Sequence, residues 1–200
     1  EGLPALYAKD DEVETLEITL SDTKGRMKAI LSYTVFAGDG VLTRSVRYVN
    51  TCKEAIRLEN AASLSLDFPD HDFDRMSLYG GQASERNLER IRLMRGVMET
   101  GNTRGASSHQ QSPFLALARP ATGEFSGEVY GFSLVYSGSF RMATEVEQFG
   151  TTRVVIGINP DDFAWTLEPG ESFQTPEVVI SYSHDGLNGM SQAFHTAYRT

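Results

Sequence analysis

Leu16, Ile18 and Leu20 alternate with Thr15, Glu17 and Thr19, and a two-residue period of this kind predicts a half-buried strand over 13–20. Asp22-Thr23-Lys24-Gly25 reads as a turn, and Met27 to Phe36 resumes the β-rich pattern. Gly38-Asp39-Gly40 marks the next reversal, and 41–49 alternates again with Arg44 and Arg47 among β-branched residues. A long strand is expected over 56–68, with Leu58, Ala62, Leu64, Leu66 and Phe68 mostly on one face. Further strands are expected over 73–79, 87–94, 114–118, 129–136, 140–149, 154–158 and 173–182. Short strands separated by turn residues point to packed antiparallel sheets, an all-β fold built as a large antiparallel β-sandwich. One helix is expected at the end of the chain. Leu187, Met190, Phe194, Ala197 and Tyr198 recur at three- and four-residue steps, and Asp185 stands where a side-chain N-cap belongs. The expected division is a β-domain over 1–184, incomplete at its N-terminus, followed by a helix over 185–200. No repeat, low-complexity tract or linker splits the chain further.

With 200 residues, 40% hydrophobic, the chain is long enough to bury a full core. The formal net charge is −9, which repels phosphate backbones and anionic lipid. Nucleic-acid and membrane partners are thereby disfavoured, while neutral ligands such as sugars are not. Cys52 is the single cysteine; it excludes an internal disulfide, leans towards a reducing, cytoplasmic setting, and reads as part of a turn at Asn50-Thr51-Cys52-Lys53-Glu54. No apolar run approaches the roughly 20 residues that span a bilayer, and no signal-peptide pattern opens the chain.

Asp70-His71-Asp72-Phe73-Asp74 is the densest acidic cluster. Alternation sets its three carboxylates on one face, but Arg75 and Gly81 stand where a calcium loop needs Gly and Glu, so a solvated loop is the expectation. Glycoside hydrolysis needs two flanking carboxyl groups; the pairs Asp161-Asp162 and Glu145-Glu147 are read as turn and surface residues instead. Ser107, Ser108 and His109 suggest nucleophile and base, yet neighbours on an extended chain face opposite ways and no Gly-x-Ser-x-Gly elbow surrounds them. Arg104, Ser107, Ser108, His109 and Gln110 are better read as hydrogen-bonding residues, suited to sugar hydroxyls or to a domain interface. A loop ordered by its own bonds explains them equally well. Trp165 is the only tryptophan. It is a candidate for stacking on a sugar ring, although its shared parity with Phe163 and Leu167 places it in the core. No zinc spacing and no phosphate-cradling loop is present, and no catalytic residue, metal ligand or cofactor is expected.

Several segments together resemble the N-terminal domain of glycoside hydrolase family 36, the α-galactosidases. They are Leu42-Thr43-Arg44-Ser45-Val46, Ser63-Leu64-Ser65-Leu66-Asp67-Phe68-Pro69, Arg104-Gly105-Ala106-Ser107-Ser108-His109-Gln110 with Pro113-Phe114, and Gly131-Phe132-Ser133-Leu134-Val135-Tyr136-Ser137-Gly138. Ile158-Asn159-Pro160, the run from Trp165-Thr166-Leu167 to Pro176-Glu177, Gly189-Met190-Ser191 and Ala193-Phe194-His195 continue the match in order. Ser112 departs from it, since members commonly have Asn before Pro-Phe. The resemblance implies a β-supersandwich that precedes a catalytic (β/α)8 barrel in full-length members. The nucleophilic Asp of a Lys-Trp-Asp stretch belongs to that barrel; here Thr166 follows the only Trp, so the motif is absent. The implied partners are the barrel, galactosides such as melibiose and raffinose bound by the whole enzyme, and other subunits of a homo-oligomer. The alternative from another class is an autonomous carbohydrate-binding sandwich.

Overall fold

The computed structural model describes residues 5–8, 13–161 and 163–199. In chain order the strands are β1 (Val13–Ser21), β2 (Met27–Phe36), β3 (Val41–Asn50), β4 (Ile56–Leu58), β5 (Ala62–Phe68), β6 (Asp74–Gly81), β7 (Ser84–Arg92) and β8 (Gly96–Gly101). They continue with β9 (Gln111–Ala118), β10 (Val129–Leu134), β11 (Phe140–Val146), β12 (Thr152–Ile158), β13 (Trp165–Leu167), β14 (Ser172–Gln174) and β15 (Val178–Ser183), and the helix α1 (Gly186–Ala197) follows. A nine-stranded sheet runs β1-β2-β3-β15-β10-β9-β6-β7, with β14 also paired to β3. A four-stranded sheet, β5-β12-β11-β8, faces it, and β13 and β4 form a separate ribbon. Every named pairing is antiparallel. The expected sandwich is what forms.

Two cores hold the layers together. Between the sheets lie Leu64, Phe73, Leu115, Leu117, Phe132, Phe140, Met142, Val154, Ile156 and Val178. Their alternation with outward residues is what lets one strand serve a core and a second surface at once. On the other side of the large sheet, Val41, Ala116, Val129 and Val179 pack against Met190, Phe194 and Ala197 of α1. Gly131 sits under that helix, where a Cβ would stand 2.5 Å from the Met190 sulfur.

Three expectations are corrected. The strand expected over 56–68 is two strands in different sheets, because β4 pairs with β13 and β5 with β12. The strand over 173–182 is likewise broken: Pro176 has no N–H for a ladder, and Thr175 turns inward to accept the Val46 N–H at 2.9 Å. The third concerns the helix start. Asp185 makes no side-chain cap bond. Instead the Leu187 and Asn188 N–H groups donate to the Gly123 and Glu124 carbonyls at 3.1 and 2.9 Å. A backbone turn thus satisfies the free N–H groups that a short polar side chain usually takes. Gly186 makes this approach possible, with φ +74° and an ideal Cβ position 2.6 Å from the Gly123 oxygen.

Candidate functional site

The polar run singled out in the sequence is the connection between β8 and β9, and hydrogen bonds pin it at each step. The Asn102 side-chain oxygen accepts the Arg104 N–H (3.2 Å), the Ser139 hydroxyl accepts the Gly105 N–H (2.7 Å), and the Ser137 carbonyl accepts the Ser107 N–H (2.7 Å). The Ser108 hydroxyl accepts the Gln110 N–H at 3.2 Å, and the Gln110 carbonyl accepts the Gly80 N–H at 3.1 Å. The Ser108 oxygen is therefore engaged by backbone, not by an imidazole, and the loop is a fixed surface on a rigid sheet.

One side of this loop forms a cleft of about 530 Å³ with the β6–β7 hairpin, lined by Glu85, Arg86, Ser107, Ser108, His109 and Ser112. The structure thus brings Ser107, Ser108 and His109 together, while the Gln110 backbone ties the cleft to β6. Arg86 and Glu85 were not anticipated. Arg86 adopts φ +57° and Ala83 φ +61°, backbone that side-chain-bearing residues enter at a cost. The cause is the bulged hairpin: the register shifts between Tyr79 and Gly81, and Gly80 lies so close to β7 that a Cβ would stand 2.3 Å from the Ser84 carbonyl. Gly80-Gly81 was the available signal, since paired glycines mark turns and close backbone approaches.

The other side of the loop borders a second cleft of about 300 Å³, with Thr103, Gly105, Tyr136, Ser139, Asn159 and Phe163. Phe163 touches Phe173 (ring centroids 5.5 Å), and Phe173 touches Trp165 (5.4 Å). Trp165 is 50% exposed, which corrects its expected place in the core. Only Leu167 of the three same-parity residues is fully buried, because β13 pairs with β4 in a two-stranded ribbon separate from the two larger sheets. Arg104 itself is exposed and lines neither cleft.

The acidic candidates serve structure. Arg119 bonds Asp70 (2.7 Å) and Glu128 (2.8 Å) and lies 4.0 Å from the Phe73 ring centre. Arg92 bonds Asp72, and Arg90 bonds Asp74 at 2.7 Å. The Arg119 hydrogen bonds hold the Asp70 and Glu128 carboxyls below their ordinary values. Glu147 Oε1 accepts the Phe149 N–H at 3.0 Å and the Thr151 hydroxyl at 2.9 Å, organising the β11–β12 turn and ending β11 at Val146, short of the expected 149. Asp161 donates its N–H to Asn159 Oδ1 at 3.0 Å; Asp162 lies outside the described residues. Among the described residues no group of His, Cys, Asp and Glu has the arrangement of a metal site, and no helix is long and apolar enough to cross a membrane.

The antiparallel sandwich thus presents two clefts that offer hydroxyls, an amide and aromatic faces. The family model described as the glycosyl hydrolase family 36 N-terminal domain matches residues 1–168, and the chain belongs to that family. The α-galactosidase AgaA of Geobacillus stearothermophilus is 53% identical over 200 residues, covering 100% of this chain and 27% of its own length. The α-galactosidase Mel36A of Lactobacillus acidophilus is 45% identical over 196 residues, 98% of this chain and 27% of its own. The crystal structure of a doubly substituted variant of AgaA in complex with stachyose superposes with a TM-score of 0.98 at 53% identity, over 100% of this chain and 28% of that one. The galactosidase domain of the α-galactosidase–sucrose kinase AgaSK gives 0.96 at 43% identity, over 99% and 28%. The chain thus spans about a quarter of the length of the curated relatives that it matches.

Proposed function

We propose that these residues are the non-catalytic N-terminal supersandwich of a retaining α-galactosidase that removes terminal α-linked galactose from sugars such as melibiose and raffinose. The observation that carries the reading is 53% identity to AgaA across the full 200 residues. A doubly substituted variant of that protein was crystallised with stachyose. The acidic clusters fit the non-catalytic part of the proposal, because arginines and backbone amides occupy the carboxylates at Asp70, Asp72, Asp74 and Glu147. The sandwich supports the catalytic barrel and a homo-oligomer in the cytoplasm, with α1 as the join towards the barrel. The loop 104–110 shapes the approach to the substrate. An aryl α-galactoside incubated with residues 1–200 should release no phenol, whereas the full-length protein should release it readily. Turnover proportional to the short chain would overturn the proposal.

The exposed Trp165 ring, in contact with the half-buried Phe173 and through it with Phe163 beside a polar cleft, favours a second reading, a carbohydrate-binding module in its own right. That reading predicts saturable heat on titration with raffinose, lost in Trp165→Ala or His109→Ala. A flat titration rejects it.

A further inference from the structure

The large sheet ends on one side at β7, which among the described residues pairs with β6 and with no other strand. Every residue of β7 is exposed, so its outer border offers free N–H and C=O groups to any strand lying alongside. A second copy of the chain presents the same border, and identical strands can pair antiparallel about a two-fold axis. Such an axis, perpendicular to the sheet, passes through one residue, which then faces its own copy; flanking residues face each other at equal distances from it. Directly opposed side chains project to one face, and like charges so placed repel.

From Asn87 to Arg92 each residue of β7 is matched by one residue of β6. Before Asn87 the ladder shifts between Tyr79 and Gly81, and Arg86 has φ +57°, so the regular border is Asn87-Leu88-Glu89-Arg90-Ile91-Arg92. An axis at Glu89 opposes residues 87–91 and sets Glu89 against Glu89; an axis at Arg90 opposes residues 88–92 and sets Arg90 against Arg90. An axis at Ile91 sets Arg90 against Arg92 on both sides. An axis at Leu88 spans only residues 87–89 before Arg86 meets Arg90 at the bulge. Glu89 is exposed and makes no hydrogen bond or ion pair among the described residues, although the buried Arg75 feels its charge. Arg90 cannot turn aside: Asp74 and the Arg119, Pro120 and Thr122 carbonyls hold its guanidinium. The opposite border of the sheet carries no such pattern. Strand β1 is matched one-to-one with β2 and is also mostly exposed. Yet axes at Leu16 (residues 13–19) and at Ile18 (residues 15–21) oppose no like charges at all.

We propose that the charge order of β7 is a guard against self-pairing: it stops the large sheet from continuing into a second copy of the chain, so that any self-association uses other surfaces. The guard has two parts. The bulge at Arg86 shortens the border on which a copy could align, and bulges of this kind blunt free edges by twisting them. Glu89 and Arg90 then occupy the two positions about which the remaining stretch could pair most fully. The contrast with β1 shows that exposure alone does not produce this arrangement. The inference does not rest on the reaction proposed above, because it uses only the sequence and register of one border strand.

The test compares the full-length protein with its Glu89→Val and Glu89→Lys variants. Valine removes the like pair and favours strand structure, whereas lysine restores a like pair of the opposite sign. Sedimentation velocity over a concentration series reads particle mass, and amide exchange reads where the contact forms. Glu89→Val should populate a species of twice the native particle's mass, with self-association at least about ten-fold tighter than native. In that species the outward-pointing amides of β7 should exchange at least about ten-fold more slowly. Glu89→Lys should sediment as the native protein does and keep fast exchange in β7. The proposal is overturned if Glu89→Val sediments like the native protein, if Glu89→Lys associates as the valine variant does, or if association leaves β7 exchange unchanged. Protection of the outward β7 amides in the native protein, equal to that of β6, overturns it as well, because the border would then already be covered. None of these readouts depends on galactoside turnover, so the two proposals fail separately.

Discussion

Replacing Gly186 by Ala isolates the contact that starts the helix. The residue has φ +74°, and an added Cβ would stand 2.5 Å from Ser126 N, 2.6 Å from the Gly123 oxygen and 2.7 Å from the Glu124 oxygen. All three neighbours are backbone, so none can swing aside. A side chain forced into left-handed backbone costs about 1–2 kcal/mol, and a methyl group pressed into a packed site adds about 1–3 kcal/mol. The turn that must give way also accepts the Leu187 and Asn188 N–H groups, so the start of α1 weakens with it. The expected loss is about 2–5 kcal/mol, or roughly 5–15 °C in Tm for a chain of this size. Gly170→Ala is the matched control. Its φ of +83° carries the same conformational cost, but nothing lies within 4 Å of its ideal Cβ position, so about 1–2 kcal/mol is expected. Urea unfolding of both variants, with m-values checked for constancy, provides the comparison. Equal losses within about 0.5 kcal/mol would refute the argument that close backbone approach, and not conformation alone, dictates glycine at 186.

The ion pairs of Arg119 make acid stability readable. Both carboxyl partners are depressed in the folded state, so their contribution is present above the unfolded values of about 4 and is lost as pH falls through the folded ones. Arg119→Met should cost about 1–2 kcal/mol at pH 7, given partly exposed pairs and the lost stacking on Phe73, and urea midpoints should show that gap narrowing towards pH 3. Glu177 runs the other way. Burial raises its carboxyl above the ordinary value, so its stabilising neutral form is complete below about pH 4 and is lost as pH rises through the raised value. Glu177→Gln keeps an acceptor for the Leu6 N–H, bonded at 3.0 Å, and should gain about 1 kcal/mol at pH 7 with no gain at pH 3. Arg86→Gly relieves the +57° backbone and should stabilise by about 1 kcal/mol, whereas Arg86→Ala should not; matching thermal shifts in the two variants would show that the conformation stores no strain.

Alternation made β1, β2 and β3 legible, because each keeps one face over nine or ten residues. It misjudged 56–68 and 173–182, because pattern continuity cannot reveal a change of partner: the apolar residues Leu58 and Leu64 are both buried, but in different sheets. Strand β8 went unforeseen. None of its residues is buried and glycines bound it, so it carries little hydrophobic signal and owes its form to pairing with β11. The same limit applies to Trp165, whose parity with Leu167 says which face it shares but not whether a layer lies above it. At the site, the residue types of the loop 104–110 were informative, because Ser, His and Gln cluster where backbone must be held open. Arg86 was invisible, since its position follows from a bulge across two strands. Asp185 looked like a cap because its residue type fits that role; the carbonyls that displaced it come from residues more than sixty positions earlier.

The placement of β15 has a consequence for biosynthesis. It is the strand that joins β3 to β10, yet it follows every other named strand in the chain, so until residue 183 has emerged the large sheet exists only as two separate flanks. A nascent chain halted before that point holds two half-sheets, each with a bare central border open to wrong partners. Closing the gap links residues 41–44 to 178–181, a long-range step that is intrinsically slow. Truncations that end before β15 should consequently precipitate during expression, while losses confined to the far C-terminal residues of α1 should be tolerated far better.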